Sequence, residues 1–239
     1  IPVIGEPSYF SVLDIGSGPG ILLDVAKQRG WATYGVEPAQ VIAFEVCKRG
    51  HMVFPDAFSV YAKEAEQLRD HANIIGRGGF DLIHAYEVLE HVPQPDVFVE
   101  QCHDLLRPGG VIAITVPNDG NSLQMAACEQ LGLKPWWHAP PEHLTEFSPK
   151  TLQLLLRRSG YHIIDLRSSY PLERFILMGE NYINDHKLGR QIHHKRVQYE
   201  MSMYKAGLFE FLLEEYRNNV ANPYSYAIGR EITVIAKKQ

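Results

Sequence analysis

Four side chains able to move a proton or hold a metal fall in two short segments: Glu87, Glu90 and His91 in AYEVLEHV, and His143 in PEHL. If Glu87–Val92 is helical, its three residues stand at i, i+3 and i+4 and share one face. An imidazole that titrates near neutrality suits general-base work, so His91 or His143 can take a proton from a hydroxyl nucleophile. Two carboxylates and two imidazoles also form a mixed oxygen and nitrogen ligand set for a divalent metal, which would bind a vicinal diol or catechol and lower its pKa. Direct proton transfer is preferred to the metal. The structural alternative is that Glu90 and His91 cap and pack a short helix.

A second constellation is the run Asp14-Ile15-Gly16-Ser17-Gly18-Pro19-Gly20, set between an apolar strand-like run and a helix-like one. Such a turn lets a ligand approach the backbone closely, and two ligand classes use it: dinucleotides and S-adenosylmethionine. The dinucleotide frame G-x-G-x-x-G/A places Ile21 where a small residue belongs. The frame that fits is D-x-G-x-G-x-G, whose leading carboxylate can orient the cationic amino-acid portion of S-adenosylmethionine. Glu37, before Pro38 and about 20 residues past the loop, suits two ribose hydroxyls of either ligand. Asp56, followed by Ala57, is either an acceptor for an adenine amino group or a helix N-cap.

The elements that must position these groups alternate. Strands are expected at Ser11–Ile15, Ala32–Val36, Met52–Phe54, Phe80–Ala85, Val111–Val116, Tyr161–Leu166 and Glu231–Ala236. Helices are expected over Pro19–Arg29, Ala39–Arg49, Phe58–His71, Pro95–Leu106 and Ser148–Ser159, the last capped by Ser148, and Arg107-Pro108-Gly109-Gly110 reads as a strong stop. Such alternation gives a parallel sheet with helices on both sides. Asn118–Phe147 is loop-rich with one helical run. Arg167–Arg230 is rich in Tyr, His and charge, looks helical over Val197–Arg217, and reads as an appended subdomain or a lid. The chain 1–239 is otherwise read as a single domain.

Composition narrows the classes. Hydrophobic residues make up 45% and charged residues 21%, which excludes a disordered tail. A net charge of -5 argues against a broad basic nucleic-acid surface. Cys47, Cys102 and Cys128 form no Cys-x-x-Cys pair and read as reduced thiols of a cytoplasmic protein. No apolar run approaches the roughly 18 residues of a membrane span. The start at Ile1-Pro2 reads as a truncation, or as a domain cut from a longer protein.

Taken in order, VLDIGSGPG (12–20), YGVEP (34–38), FDLIHAYEVLEHVPQP (80–95), LLRPGGVIAITVPN (105–118) and EHLTEFSPKTLQLLLRRSG (142–160) resemble the class I S-adenosylmethionine-dependent methyltransferases. The likeness is greatest to the branch holding the ubiquinone-pathway O-methyltransferases and the small-RNA terminal 2′-O-methyltransferases. It implies a Rossmann-like three-layer α/β fold with a seven-stranded, mostly parallel sheet in the order 3-2-1-4-5-7-6, strand 7 antiparallel. It implies cofactor contacts along Asp14, Gly16, Ser17, Gly18 and Gly20, at Glu37 and Pro38, at Asp56 and Ala57, and at Ala85 and Tyr86. S-adenosylhomocysteine is then the product. Both named subgroups use a carboxylate and histidine set like Glu87, Glu90, His91 and His143, which supports the metal. The missing N-terminal helix and the long 167–230 stretch depart from the pattern.

The expected activity is methylation of oxygen on a small-molecule or glycan hydroxyl, with an RNA acceptor as the minor alternative. The rival classes are a nicotinamide oxidoreductase, disfavoured by Ile21 and Asp14, and a non-catalytic module that keeps the fold. Trp136-Trp137-His138 reads equally as an aromatic wall for a flat substrate or as core. His84 reads as a core or strand-end histidine, and His193-His194-Lys195-Arg196 as a solvated helix face. The Tyr-rich terminal stretch could serve as a dimer surface.

Overall fold

The computed structural model describes residues 10–54, 78–138, 141–220 and 227–239. The helix expected over Phe58–His71, with Asp56 and Ala57, lies outside them. Seven strands form one sheet: β1 (Ser11–Ile15), β2 (Ala32–Val36), β3 (Met52–Phe54), β4 (Phe80–Tyr86), β5 (Leu106–Pro117), β6 (Tyr161–Ser168) and β7 (Glu231–Lys238). Their order is β3-β2-β1-β4-β5-β7-β6, with β7 antiparallel, as the family resemblance implies. The helices are α1 (Ile21–Gln28), α2 (Gln40–Lys48), α3 (Pro95–Leu105), α4 (Ser122–Leu131), α5 (Pro149–Arg158), α6 (Glu173–Leu177), α7 (His186–Lys205) and α8 (Phe209–Asn218).

The chain divides into two compact units. The first holds Ile1–Ile114, Leu154–Ile164 and Ile235–Gln239; the second holds Thr115–Gln153 and Asp165–Val234. In the first unit β1 is buried along its whole length, because β2 and β4 pair with it in parallel register on either side. Against this sheet, Leu23 and Ala26 of α1 and Ala43 and Val46 of α2 close a core with Val12 and Val53. A strand covered on both faces needs apolar residues at successive positions, which is what SVLDI supplies at all but two.

The second unit is held by caps and polar contacts. Asn121 begins α4 with a reciprocal capping box: its side chain accepts from the Leu123 and Gln124 N–H groups, and the Gln124 side chain returns to its backbone N–H. The Ser148 hydroxyl accepts the Thr151 N–H at 3.2 Å, as expected of an N-cap. α7 and α8 form a hairpin stitched by Tyr199 Oη to Glu215 (3.2 Å) and Tyr216 Oη to Glu200 (2.7 Å).

Two expectations fail. The helix placed at Val197–Arg217 is two helices: α7 starts at His186, where Asp185 caps it, and it ends at Lys205 before Gly207, whose φ of 74° an L side chain rarely adopts. β5 begins at Leu106, not at Val111: the helix ends at Leu105, as the Arg107–Gly110 run requires, but the strand already runs through that stop. Glycine makes this possible, since a Cβ at Gly110 would stand 2.8 Å from the Phe80 carbonyl. Among the described residues no helix is long and apolar enough to cross a membrane. Cys47, Cys102 and Cys128 are all free thiols.

Candidate functional site

The glycine loop follows β1 and opens α1, entirely inside the first unit. Gly16, Gly18 and Gly20 all have positive φ (72°, 48° and 76°). At Gly16 glycine is required twice over, because a Cβ there would also meet Val88 Cγ2 at 2.6 Å. At Gly18 an added Cβ would meet nothing within 4 Å among the described residues. The loop is pinned from below: the Gly16 and Ser17 N–H groups both donate to the Val36 carbonyl, at 2.8 and 3.0 Å.

Glu37 completes this pinning. Its two carboxylate oxygens accept the Gly18 N–H and the Ala39 N–H, each at 2.8 Å. It therefore ties the loop to the end of β2, and each oxygen keeps a second lone pair for a ligand. Glu37 and Asp14 are both buried. The Ser17 hydroxyl is also buried and has no hydrogen-bond partner among the described residues.

Asp14 has a partner that sequence reasoning did not assign. His84 Nδ1 lies 2.7 Å from Asp14 Oδ1. The carboxylate only accepts, so Nδ1 carries the proton. Parallel register makes the pair: Asp14 stands opposite His84 across β1 and β4, and residues so paired in a parallel ladder point to the same face. The imidazole in turn stacks on Tyr86, with ring centroids 6.5 Å apart and planes at 19°. Ala85 is buried at the end of β4 and Tyr86 is exposed.

Beyond Tyr86 the chain departs from expectation. Glu87 to Val92 is not an α-helix. A single 3-10 turn covers Leu89–His91, and Glu87 precedes it with φ 52°. Glu87, Glu90 and His91 therefore do not share a helical face, because Glu87 lies outside any helix. Gly16 packs against this segment through Val88. Glu90 is fully enclosed while His91 is exposed, and His91 Nε2 is 3.8 Å from Glu90 Oε1.

His143 belongs to the second unit. Its Nδ1 is 3.5 Å from Asp119 Oδ2. Burial raises the Asp119 pKa above the ordinary carboxylate range, against the opposing pull of His143 and Arg230. The same unit holds a buried carboxylate at Glu173, one oxygen of which accepts from Gln124 (3.3 Å) and from Arg230 (2.9 Å). Burial, then Glu173, pushes the Tyr182 phenol well up. Apart from His143, the sequence marks none of these network residues, because no local spacing relates them.

Trp137 is buried and packs edge-on against Trp136, with centroids 5.1 Å apart, so this half of the aromatic cluster is core. His138 is exposed and meets Glu146 at 2.5 Å. His193, His194 and Lys195 are exposed on α7, as a solvated face requires.

Comparison with known proteins follows the same outline. A family model described as a methyltransferase domain matches residues 5–166. The chain is 32% identical over 108 residues to a ubiquinone biosynthesis O-methyltransferase of Pseudomonas paraeruginosa, covering 45% of this chain and 44% of that protein. It is 34% identical over 122 residues to the protein of the same name in Escherichia coli, covering 48% and 46%. The chain thus spans less than half the length of the curated relatives it matches. A SAM dependent methyltransferase from Archaeoglobus fulgidus superposes with a TM-score of 0.57 at 18% identity, over 97% of this chain and 87% of that one. A phosphoethanolamine N-methyltransferase of Haemonchus contortus, solved with S-adenosyl-L-methionine, gives 0.56 at 14% identity over 98% and 50%. At such identities the likeness is one of fold.

Proposed function

The chain belongs to the methyltransferase domain family, whose model matches more than half of it, and on that premise we propose that it is an S-adenosylmethionine-dependent enzyme that methylates a hydroxyl of a small-molecule or glycan acceptor. The observation that carries this reading is the glycine loop with its two anchored carboxylates. Asp14 is held by His84, Glu37 is held by two backbone N–H groups, and a Cβ at Gly18 would meet nothing within 4 Å among the described residues. These residues fit a cationic amino acid at Asp14 and a ribose diol at Glu37. They fit a pyrophosphate poorly, since the buried Asp14 carboxylate at the loop would repel it.

When bound, S-adenosylmethionine supplies a methyl group already activated on a sulfonium. What is left to the chain is orientation and removal of one proton. Asp14, fixed in direction by the Nδ1 proton of His84, orients the ammonium group. Glu37 accepts from the ribose hydroxyls with its remaining lone pairs. His143 is the preferred base, because Asp119 beside it stabilises the imidazolium formed when it takes the acceptor proton. His91 beside Glu90 is the second candidate.

Oxygen as the acceptor atom draws its support from the names of the curated relatives, both O-methyltransferases. A divalent metal is the second reading of the same histidines. Glu90 and His91 offer a carboxylate and an imidazole within the first unit, His143 is added to them by the resemblance alone, and a carboxylate with imidazoles is a donor set that first-row divalent ions accept. Glu87 joins them only through the resemblance, since its kinked backbone takes it off any shared helical face.

The test is calorimetric titration with S-adenosylhomocysteine of the chain and of its Asp14→Ala and Glu37→Ala variants. Micromolar binding, about −8 kcal/mol, that weakens in both variants supports the reading. No binding by a folded chain, or preference for a nicotinamide dinucleotide, sinks it. Turnover of hydroxylated acceptors with and without a chelator then separates the metal from direct proton transfer.

A further inference from the structure

The α7–α8 hairpin carries two exposed features. The first is a cluster of large apolar side chains at its tip. Tyr204 (62% exposed) and Phe211 (63%) flank the Gly207 turn together with Met201, Leu208 and Phe209, all in solvent. Tyr204 and Phe209 meet edge-to-face at 5.9 Å, so the cluster has a defined shape. Lys205 and Glu210 are the charges beside it. Single exposed apolar residues are ordinary, but five within eleven positions form a patch of the kind that marks an interaction surface.

The second feature is a basic strip over positions 186–199 of α7, short of this tip. Positions 186–199 contain Lys187, Arg190, Lys195 and Arg196 and no acidic residue, in a chain whose net charge is -5. Lys187, Arg190 and His194 recur at i, i+3 and i+7 and so project from one face, along a groove they line with Gln191 and Lys195. Lys195 is paired with Glu180 and Arg196 with Glu200. Lys187 and Arg190 make no ion pair among the described residues. At 100° per residue, Met201 and Lys205 continue this same face toward the tip.

We propose that this hairpin docks on an anionic lipid surface, with the aromatic tip entering the headgroup region and the basic strip lying over the headgroups. Both halves match that one partner: apolar burial favours insertion of the tip, and anionic headgroups neutralise Lys187 and Arg190. A second copy of the chain meeting tip to tip would leave the basic strip unmatched. No membrane span is needed, and none is present among the described residues.

The experiment is co-sedimentation with vesicles of phosphatidylcholine containing phosphatidylglycerol, and with vesicles of phosphatidylcholine alone. Binding is expected to the anionic vesicles, weakening as salt is raised. The double change Phe209→Ser with Phe211→Ser should weaken it at least about tenfold. Lys187→Glu with Arg190→Glu should weaken it similarly and flatten its salt dependence. Thermal melting of both variants checks that the hairpin still folds, since all four side chains are exposed. Absence of binding to either vesicle, or binding that neither variant changes, overturns the proposal. So does a concentration-dependent dimer, seen by light scattering, that the Phe209 and Phe211 changes abolish without any vesicle binding.

Discussion

The two compact units place their polar chemistry in opposite ways. In the first, the residues proposed to hold the cofactor lie within one loop and the ends of three neighbouring strands, and several of their partners are backbone groups. Glu37 is satisfied by two N–H groups and the loop hangs from one carbonyl. In the second, the buried network joins side chains far apart in sequence: Glu173 meets Gln124 across 49 residues and Arg230 across 57. A site built on backbone geometry depends on where glycine can stand. A site built on side-chain pairs depends on every partner being kept, because a buried group that loses its partner incurs its full desolvation cost.

Four measurements sharpen this contrast, from the largest effect to the smallest. Gly16→Ala should cost the first unit most. The substitution meets both the positive φ and Val88, and we expect S-adenosylhomocysteine affinity to fall about 100-fold, or about 2.7 kcal/mol. Affinity within about threefold of the parent would mean that the loop is not the cofactor cradle.

Glu173→Ala should act on stability instead. Removing one member of a buried pair commonly costs about 3–5 kcal/mol, and because the Arg230 side chain is 36% exposed and can hydrate, we expect a loss below that range, about 2–3 kcal/mol. Urea unfolding measures it. A much larger loss of cofactor affinity than of stability would show that the two units do not divide the work in this way.

His84→Ala should weaken S-adenosylhomocysteine binding about fivefold, close to the 1 kcal/mol of one hydrogen bond. His84→Asn, which keeps a donor near the Nδ1 position, should recover most of it. Equal losses in both variants would reduce His84 to packing.

Asp119→Asn carries the smallest effect and a definite sign. Burial raises the folded-state pKa of Asp119, so its contribution is fully present in acid, below the ordinary carboxylate range, and is lost as pH rises through the raised value. The asparagine variant avoids that loss. It should be more stable than the parent near neutrality and equal to it in acid. The opposite order of melting temperatures near neutrality would place His143 and Arg230, not burial, in control of this carboxyl.

Much of the architecture was legible because it follows from periodicity and local chemistry. Six of the seven strands lie where the apolar runs put them to within two residues, and β5 alone extends further, into its glycine pair. The loop from Asp14 to Gly20 could be marked as a ligand turn because positive φ selects glycine at each of its three positions. The same logic could not reach Glu87. A non-glycine residue with φ 52° is a local exception imposed by what surrounds it, so a helical face inferred from i, i+3 and i+4 spacing was the natural reading and the wrong one.

By itself, then, the sequence determined the sheet, its glycine loop and the carboxylates at the strand ends, since those depend on interactions between near neighbours and on the conformations that single residue types allow. Only the tertiary structure decided that His84 belongs to Asp14, that Asp119 stands against His143, and that Glu173 is shared by Gln124 and Arg230. Strand register and helix packing set those distances, and register is a property of two segments at once, which neither segment carries alone.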